Sequence, residues 1–262
     1  IDMETGKATA QGNAALAGAE FTWHYYDGLY TKDNLPEKAT RTWVTKTVAE
    51  KDSNGTMHYV TKLTDAYKVS GDAFYTQNEK SVLPLGTLTV EETKAPDGYL
   101  LDGAYMQAGD SIKGMYLTQI TEDGELAVLS GSNQYSVSDQ VIRGGVKIQK
   151  RDLETIDTKA QGSATLKDAA FAIISQNENP VLVEGKLYKK NEIVKTIQTG
   201  IDGVTTTSAD ILPYGKYKLE ETKAPEGYLT DGAKAIEFSI TENGKSVDLT
   251  DESHAIYNQI KR

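Results

Sequence analysis

The sequence predicts an all-β protein built from two tandem antiparallel β-sandwiches. Short segments of alternating apolar and polar residues, rich in Thr, Tyr, Val and Ile, recur along its 262 residues. No window has the apolar stripe that an amphipathic helix would need. The chain also contains an internal repeat, and repeated sets of short strands typically form packed sandwiches.

The internal repeat is visible at several places along the chain. Residues 2–21 align without gaps on residues 152–171, sharing Asp, Glu, Thr, an Ala-Gln-Gly triplet and a final Phe. Further along, ETKAPDGY at residues 92–99 returns as ETKAPEGY at residues 221–228. Matches in the same order indicate two homologous domains.

The ends of the two copies set the domain boundary. DQVIR at residues 139–143 corresponds to NQIKR at the end of the chain. We therefore predict domain 1 over residues 1–143 and domain 2 over residues 144–262. Domain 1 is longer, and most of its extra length is an insertion at about residues 22–80.

The composition makes several classes of partner improbable. A net charge of −10 disfavours phosphate backbones and anionic membranes, so we expect neither nucleic-acid binding nor membrane contact. The chain has no cysteine and three scattered histidines, so we expect no metal and no cofactor. Without disulfides, a protein that works outside the cell needs another covalent staple.

Three strands of domain 2 each direct one polar side chain towards the apolar interior. Strand alternation places an amine, a carboxyl and a carboxamide on faces that otherwise carry apolar residues: Lys150, Glu221 and Asn258. One buried polar residue most often belongs to a hydrogen-bonded core network. Three together favour a chemical role.

These three groups suffice to form an amide cross-link. Burial favours the neutral forms of both Lys150 and Glu221. The neutral amine can attack the side-chain carbonyl carbon of Asn258, while protonated Glu221 polarises that carbonyl and relays the proton that expels ammonia. The product is a Lys–Asn isopeptide bond, formed once per molecule, so we predict no enzyme with turnover. A glycosidase is disfavoured, since neighbouring glutamates on a strand face opposite sides.

The same residues carry a family resemblance. Lys150, the LPYG motif at residues 212–215, the string at 221–228 and Asn258 resemble the CnaB-type (SpaA-like prealbumin) repeats of Gram-positive surface adhesins and pilins. The string is similar to the E-box of sortase-assembled pilins. The resemblance implies a transthyretin-like, inverse-immunoglobulin-like sandwich and an extracellular, cell-wall-anchored parent protein. It implies a bond between Lys150 and Asn258, with Glu221 as the catalytic acid, and leaves pilin and adhesin stalk as alternatives.

Domain 1 departs from this pattern. Its acid is Glu92 and its acceptor is Asp139, and the family that the chain resembles includes aspartate acceptors, for which water is the leaving group. The alignment places Lys150 opposite the residue before Ile1, outside this sequence, and Lys7 falls in the turn that follows. We therefore expect domain 1 as given to form no isopeptide bond with a first-strand lysine of its own. The reactive lysine either precedes this sequence or is supplied by a lysine-bearing strand or peptide of another chain. The two acids should share a proton, with one pKa raised.

The insertion of domain 1 leaves a second function open. It holds a concentration of aromatic residues that domain 2 lacks: Trp23, Tyr25, Tyr26, Tyr30 and Trp43. Exposed aromatics are enriched at recognition sites, so one hypothesis is an adhesin face that binds a host matrix protein or a glycan. The favoured alternative is that these rings fill the core of a longer hairpin. The main prediction remains a stapled structural module of a surface stalk or pilus.

Overall fold

The computed structural model describes residues 1–107, 114–123, 136–230 and 233–262. Within these residues the protein is built from β-strands, with one short 3₁₀ turn at Lys32–Asn34 and no α-helix. The prediction of an all-β fold is confirmed. No helix in the described part of the chain has the length and apolar character that crossing a membrane requires.

The chain forms two compact units. Domain 1 comprises Ile1–Ala10 and Ala15–Gln140, and domain 2 comprises Gln11–Ala14 and Val141–Arg262. The main boundary thus lies three residues before the one expected from the repeat, because Arg143 already pairs with a strand of domain 2.

Domain 1 is a β-protein with a five-stranded main sheet. Its strands are β1 (Glu20–Tyr26), β2 (Arg41–Lys46), β3 (Val48–Lys51), β4 (Met57–Val60), β5 (Lys68–Gly71), β6 (Tyr75–Gln77), β7 (Lys80–Val82), β8 (Gly86–Lys94), β9 (Tyr99–Gln107), β10 (Tyr116–Ile120) and β11 (Ser136–Val141). The main sheet has the order β10-β8-β1-β2-β5, and β9 pairs with β11. The insertion contributes β2 and β5 to that sheet and adds the hairpins β3–β4 and β6–β7.

Domain 2 consists of two main sheets and a small hairpin. Its strands are β12 (Arg143–Asp152), β13 (Ala170–Ser175), β14 (Val181–Val183), β15 (Lys186–Tyr188), β16 (Ile193–Gln198), β17 (Val204–Thr206), β18 (Leu212–Pro213), β19 (Gly215–Lys223), β20 (Ile236–Ile240), β21 (Lys245–Leu249) and β22 (Ile256–Asn258). One sheet has the order β16-β13-β19-β20, and the other is organised around β12. Most pairings are antiparallel, but β12 runs parallel to both β21 and β22.

Strand alternation explains how the core of domain 2 forms. On β19, Tyr217 and Leu219 are fully buried, while Lys218 and Glu220 point the other way and form an ion pair at 2.6 Å. The inward rings and aliphatic chains belong to one apolar cluster that spans the domain. The pattern that predicted these strands is therefore the pattern that packs them.

One residue of β12 departs from simple alternation. Strand alternation places Gln149 on the outer face of β12, opposite Lys150, yet it is only 7% exposed. Its side-chain amide donates to the carbonyl oxygen of Asp202 at 3.1 Å, because the turn before β17 covers the outer face of β12 at this point.

Both acidic strands end in the same irregularity. In domain 2 the pairing partner shifts from Glu221 opposite Phe171 to Lys223 opposite Ala170, which leaves Thr222 as an extra residue. In domain 1 the shift between β1 and β8 leaves Thr93 as the extra residue. A β-bulge of this kind re-aims the neighbouring side chains and ends the regular ladder. The bulge therefore follows directly after each inward-facing acid.

The turn after each bulge depends on glycine. Gly227 adopts a φ of +86°, and a Cβ atom there would lie 2.5 Å from the Cβ of Ala164. Gly98 has a φ of +83° at the matching place. Only glycine adopts such angles at low cost, so the Gly-Tyr ending of both strings is a backbone requirement.

The aromatic residues of domain 1 are mainly core residues, which corrects the hypothesis of an exposed ligand face. Trp23, Tyr25, Tyr26 and Trp43 are all less than 9% exposed, and Trp43 stacks on Phe74 at 5.5 Å. The polar atoms of two rings are satisfied internally, since Trp23 donates to the Thr45 hydroxyl and Tyr25 donates to the Leu85 carbonyl oxygen. Tyr30 is half-buried and packs edge-on against Tyr26. The cause is the wider sheet, which needs large side chains to fill its face.

Candidate isopeptide site

The three polar side chains singled out in domain 2 converge in its core. Lys150 lies near the end of β12, Glu221 lies on β19 and Asn258 ends β22. The side chains of Lys150 and Glu221 are 0% exposed, and Asn258 as a residue is also 0% exposed. The parallel pairing sets Lys150 opposite Ile256 and Asp152 opposite Asn258. The amine and the carboxamide therefore stand two positions apart on one face of neighbouring strands.

Glu221 contacts both of the other groups. Its Oε1 atom lies 3.8 Å from the Lys150 Nζ atom. Its Oε2 atom accepts a hydrogen bond from the Asn258 side-chain nitrogen at 2.7 Å. The carboxyl group is thus placed between the amine and the amide.

Burial shifts the protonation of this site. Desolvation lowers the pKa of Lys150 to about 8, although the nearby charge of Glu221 works in the opposite direction. Desolvation also raises the pKa of Glu221, against the opposing effects of Lys150 and of the Asn258 hydrogen bond. Both shifts favour the neutral amine and the protonated acid, which is the pair that the chemistry requires.

The amide orientation refines the expected role of Glu221. The sequence predicted two roles for the acid, polarising the carbonyl and relaying the proton to the leaving group, and its contact with the amide nitrogen fits the second. The Asn258 Oδ1 atom and the Glu221 Oε1 atom are buried and have no hydrogen-bond partner among the described residues. The arrangement favours proton delivery to the nitrogen over polarisation of the oxygen.

Domain 1 contains a matching acid and acceptor. Glu92 pairs across β1 with Phe21, as Glu221 does with Phe171 in domain 2. Asp2 forms a parallel bridge to Asp139, which corresponds to the Asp152–Asn258 pairing. The structure therefore places Glu92 and Asp139 at the positions that the repeat assigned to them.

The first residues of domain 1 pair in parallel with β11. The nitrogen of Ile1 donates to the Val137 carbonyl oxygen at 2.7 Å, and the Ile1 carbonyl oxygen accepts from the Asp139 amide at 3.1 Å, which is the regular main-chain pairing of parallel strands. Lys7 is exposed, and its carbonyl oxygen accepts from the Asp2 amide in the turn after the first strand. Lys7 thus has the turn position that the alignment predicted for it.

The two acids of domain 1 both have raised pKa values. For Glu92 the main cause is desolvation, followed by the negative charge of Asp139. Burial likewise raises the pKa of Asp139. Both Glu92 carboxyl oxygens and Oδ1 of Asp139 lack a hydrogen-bond partner among the described residues. Both shifts favour the neutral carboxyls, and the negative charge of Asp139 adds to the effect of burial on Glu92.

Comparison with known proteins identifies the family. The model of the SpaA family, described as a prealbumin-like fold domain, matches residues 2–109 and 151–253. The matched segments cover most of the chain and follow the internal repeat. The chain belongs to the SpaA prealbumin-like family. The resemblance seen in the sequence is thereby confirmed for both SpaA-type domains. No curated protein matches the sequence.

Three solved structures illustrate what this SpaA-type chain is similar to. The TIE protein of Bacillus anthracis is 24% identical, with 98% of this chain and 33% of that chain covered and a TM-score of 0.48. A streptococcal ancillary pilin is 20% identical, with 100% and 60% covered and a TM-score of 0.31. A minor pilin of Streptococcus agalactiae is 12% identical, with 98% and 93% covered and a TM-score of 0.32. The chain thus spans only part of the first two proteins, and at these identities the likeness concerns the fold.

Sequence reasoning missed one set of residues beside the SpaA-type site. Asp152, two residues after Lys150, is fully buried and accepts a hydrogen bond from the Tyr228 hydroxyl at 2.7 Å. Domain 1 repeats the contact, since Tyr99 donates to Asp2 at 2.8 Å. The signal was present, because the aspartate and the tyrosine occur at matching places in both repeats.

Proposed function

We propose that this chain is a structural module of a bacterial surface pilin or adhesin, stapled in domain 2 by an isopeptide bond between Lys150 and Asn258. The observation that carries the proposal is the position of Glu221, which touches both the amine and the amide in a site closed to water. An extracellular, cell-wall-anchored parent protein is part of the proposal. A staple of this kind would take the place of disulfides in a chain without cysteine.

The bond would form by acyl transfer within the folded domain. The neutral Lys150 Nζ atom attacks the Cγ atom of Asn258, and a C–N bond forms. A proton from Nζ passes through the Glu221 carboxyl to the Asn258 side-chain nitrogen, the Cγ–Nδ2 bond breaks and ammonia leaves. The fold supplies proximity, which for well-oriented groups can be worth about 7–11 kcal/mol of barrier. Each molecule reacts once, so the module is not an enzyme with turnover.

Intact-mass spectrometry of the denatured protein tests the proposal. We expect the measured mass of the wild type to be lower, by one ammonia, than the mass calculated from its sequence. This loss should be absent in Lys150→Ala and in Glu221→Ala. Glu220→Gln is the matched control, because Glu220 is the adjacent acid on the opposite face of β19 and should leave the loss intact. A wild-type mass equal to the uncross-linked sum would refute the staple. A Glu221→Gln variant that cross-links at the normal rate would refute the proton relay.

We further propose that Glu92 and Asp139 are the acid and acceptor of a second site, completed by an amine from outside residues 1–262. The support is the correspondence of both residues to the site of domain 2, together with their raised pKa values. The amine would come from the position before Ile1 or from a lysine-bearing strand of another chain. Its bond to Asp139 would release water.

The second site can be tested by adding one residue. A chain that begins with lysine directly before Ile1 should lose the mass of one water in addition to the ammonia of domain 2. A chain that begins with alanine at that place is the control and should lose ammonia alone. Equal masses for the two chains, after correction for the added residue, would contradict the proposal. A synthetic peptide of the lysine-bearing strand tests the reaction between chains in the same way.

A further inference from the structure

We propose that Asp152 is a positioning residue for the cross-link, held by Tyr228 and Gln161 so that a fixed negative charge lies beside the Lys150 amine. This inference rests on the proposed isopeptide function of domain 2. Asp152 lies on β12 on the same face as Lys150, and its backbone pairs with that of the acceptor Asn258. It is therefore next to both reacting residues in the fold.

The hydrogen bonds around Asp152 keep it ionised in the core. Its carboxyl accepts from Tyr228 at 2.7 Å, from Gln161 at 3.0 Å and from the amides of Glu154 and Thr155 at 2.8 and 3.0 Å. Burial alone would raise its pKa, but these bonds hold the pKa below its usual value. With this many donors the buried carboxylate keeps its negative charge in the folded domain, close to the Lys150 amine.

The donors tie three parts of the site together. Tyr228 closes the turn that follows Glu221, and it forms a bridge to Ile260 just beyond the acceptor strand. Its hydroxyl then reaches Asp152 on the lysine strand. The Asp152–Tyr228 contact therefore connects the strand of the amine, the strand of the acid and the end of the acceptor strand. Such a contact fixes the relative placement of groups that must meet to react.

The charge of Asp152 also bears on the reaction itself. Attack by the amine places positive charge on Nζ, and a carboxylate in a low-dielectric site stabilises that charge. The same charge raises the pKa of Lys150, against the larger effect of burial. Among the described residues, Glu221 on β19 and Tyr228 also face this region, and burial raises the pKa of Tyr228 to about 12. The Glu154 carboxyl also accepts a hydrogen bond from the Gln161 side-chain amide that bonds Asp152.

Domain 1 has the same arrangement, so the contact is a feature of the repeat and not of one domain alone. Asp2 is fully buried and accepts from the Tyr99 hydroxyl at 2.8 Å and from the Thr5 amide at 2.8 Å. Burial is the main cause that raises the pKa of the acceptor Asp139, and the charge of Asp2 acts in the same direction. An aspartate acceptor has to be neutral to lose water, so the charge assists the chemistry in this domain too.

The test needs a full chain that has never folded before the reaction starts. Fragment 1–232 carries Lys150 and Glu221 but lacks the acceptor, and a synthetic peptide of residues 233–262 supplies Asn258. Ligation in denaturant through a cysteine at position 233, followed by desulfurisation to Ala233, restores the native sequence, because the chain has no other cysteine. Dilution into buffers of different pH then starts folding, and the loss of ammonia is followed by mass.

Two variants separate positioning from simple stability. Asp152→Asn should slow cross-linking about tenfold, equal to ~1.4 kcal/mol in the barrier, and should move the pH–rate profile to lower pH because a negative charge beside the amine is gone. Tyr228→Phe should slow the reaction without moving the profile, since the charge of Asp152 remains. Asp248→Asn, at an exposed carboxylate on β21 that bonds Thr250, is the matched control and should change neither.

The outcomes distinguish this inference from the proposed function. If the wild-type chain never loses ammonia, no isopeptide bond forms and the proposed function itself is refuted. If the wild-type chain cross-links and the pH–rate profile of Asp152→Asn lies at the same pH as that of the wild type, the proposed role of the Asp152 charge is refuted. If Asp152→Asn does not fold, Tyr228→Phe decides: a wild-type rate in that variant overturns the positioning role, and a slower rate at an unchanged profile supports it.

Discussion

The ε-amino group of Lys150 donates a hydrogen bond to the main-chain carbonyl oxygen of Ile256 at 2.7 Å. Ile256 is two residues before the acceptor on the same strand. The bond satisfies one N–H of the buried amine and anchors it to the strand that carries Asn258. An amine held in this way is placed next to its target before any bond forms, which is the condition for a fast reaction within one molecule.

The rate of cross-linking should depend on pH as a bell. In the proposed reaction the pair holds a single proton, with Lys150 neutral and Glu221 protonated, so the rate falls when both groups are protonated and when both have lost their protons. We expect the alkaline limb near the Lys150 pKa of about 8 and the acid limb above the ordinary glutamate value, because burial raises the pKa of Glu221. Mass measurements on the ligated chain check this, and a rate that rises steadily to high pH would contradict it.

If Lys150 and Asn258 are joined as proposed, loss of this bond should lower the stability of domain 2. A bond between residues 150 and 258 closes a loop of roughly 100 residues, which the chain-entropy model values at about 4–5 kcal/mol. Lys150→Met should therefore unfold at lower temperature than the wild type. Asn258→Ala should be less stable still, because it leaves an unreacted amine in the core. Calorimetry measures both, and Lys245→Met, at an exposed lysine on β21, is the control.

Glu92→Gln should stabilise domain 1 near neutral pH. The folded pKa of Glu92 lies above its unfolded value, so the native state binds the extra proton and stability is lost as pH rises through that window. Glutamine removes this loss, and the gain over wild type should grow with pH to about 1–3 kcal/mol. Both tryptophans, Trp23 and Trp43, lie in domain 1, so their fluorescence reports its unfolding separately.

The control for that prediction is the neighbouring acid. Glu91→Gln changes the same residue type on the opposite face of β8 and should leave the pH dependence of domain 1 as it is in the wild type. An equal gain in both variants would show that net charge, and not the buried pair, is the cause.

Truncation of the core aromatics should cost stability in proportion to burial. Trp43 is fully buried and stacks on Phe74, so Trp43→Ala should destabilise domain 1 by about 3–5 kcal/mol. Tyr30→Ala removes a half-buried ring and should cost about 1 kcal/mol. Urea unfolding followed by Trp23 fluorescence measures both. Similar costs for the two variants would contradict the assignment of Trp43 to the core.

Much of the candidate site could be predicted because alternation is intact where it matters. Lys150, Glu221 and Asn258 each lie in a regular stretch of strand, so their neighbours in sequence fix the face on which they lie. Alternation carries no information on strand direction, and the parallel pairing of β12 with β22 could not be read from it. Composition alone likewise could not place the aromatic rings of domain 1 inside its core.

The partners of Asp152 needed the fold. Tyr228 is 76 residues away in the chain, and only the turn after β19 brings its hydroxyl to the carboxylate. The burial of Gln149 has a related reason, since the segment that covers it follows about 50 residues later and leaves no mark on the local alternation of β12. Contacts between distant segments are the part of a site that a single sequence conceals.

The parallel run of β12 beside β21 and β22 decides how domain 2 carries tension. Because the first and last strands point the same way, the chain enters at one end of that sheet and leaves at the other. A force applied to the two ends of the domain then acts along the strands. The hydrogen bonds between β12 and its parallel neighbours are loaded together in shear and do not break one after another. With Lys150 joined to Asn258, such a pull would run through the covalent bond, and the residues between would remain folded under load.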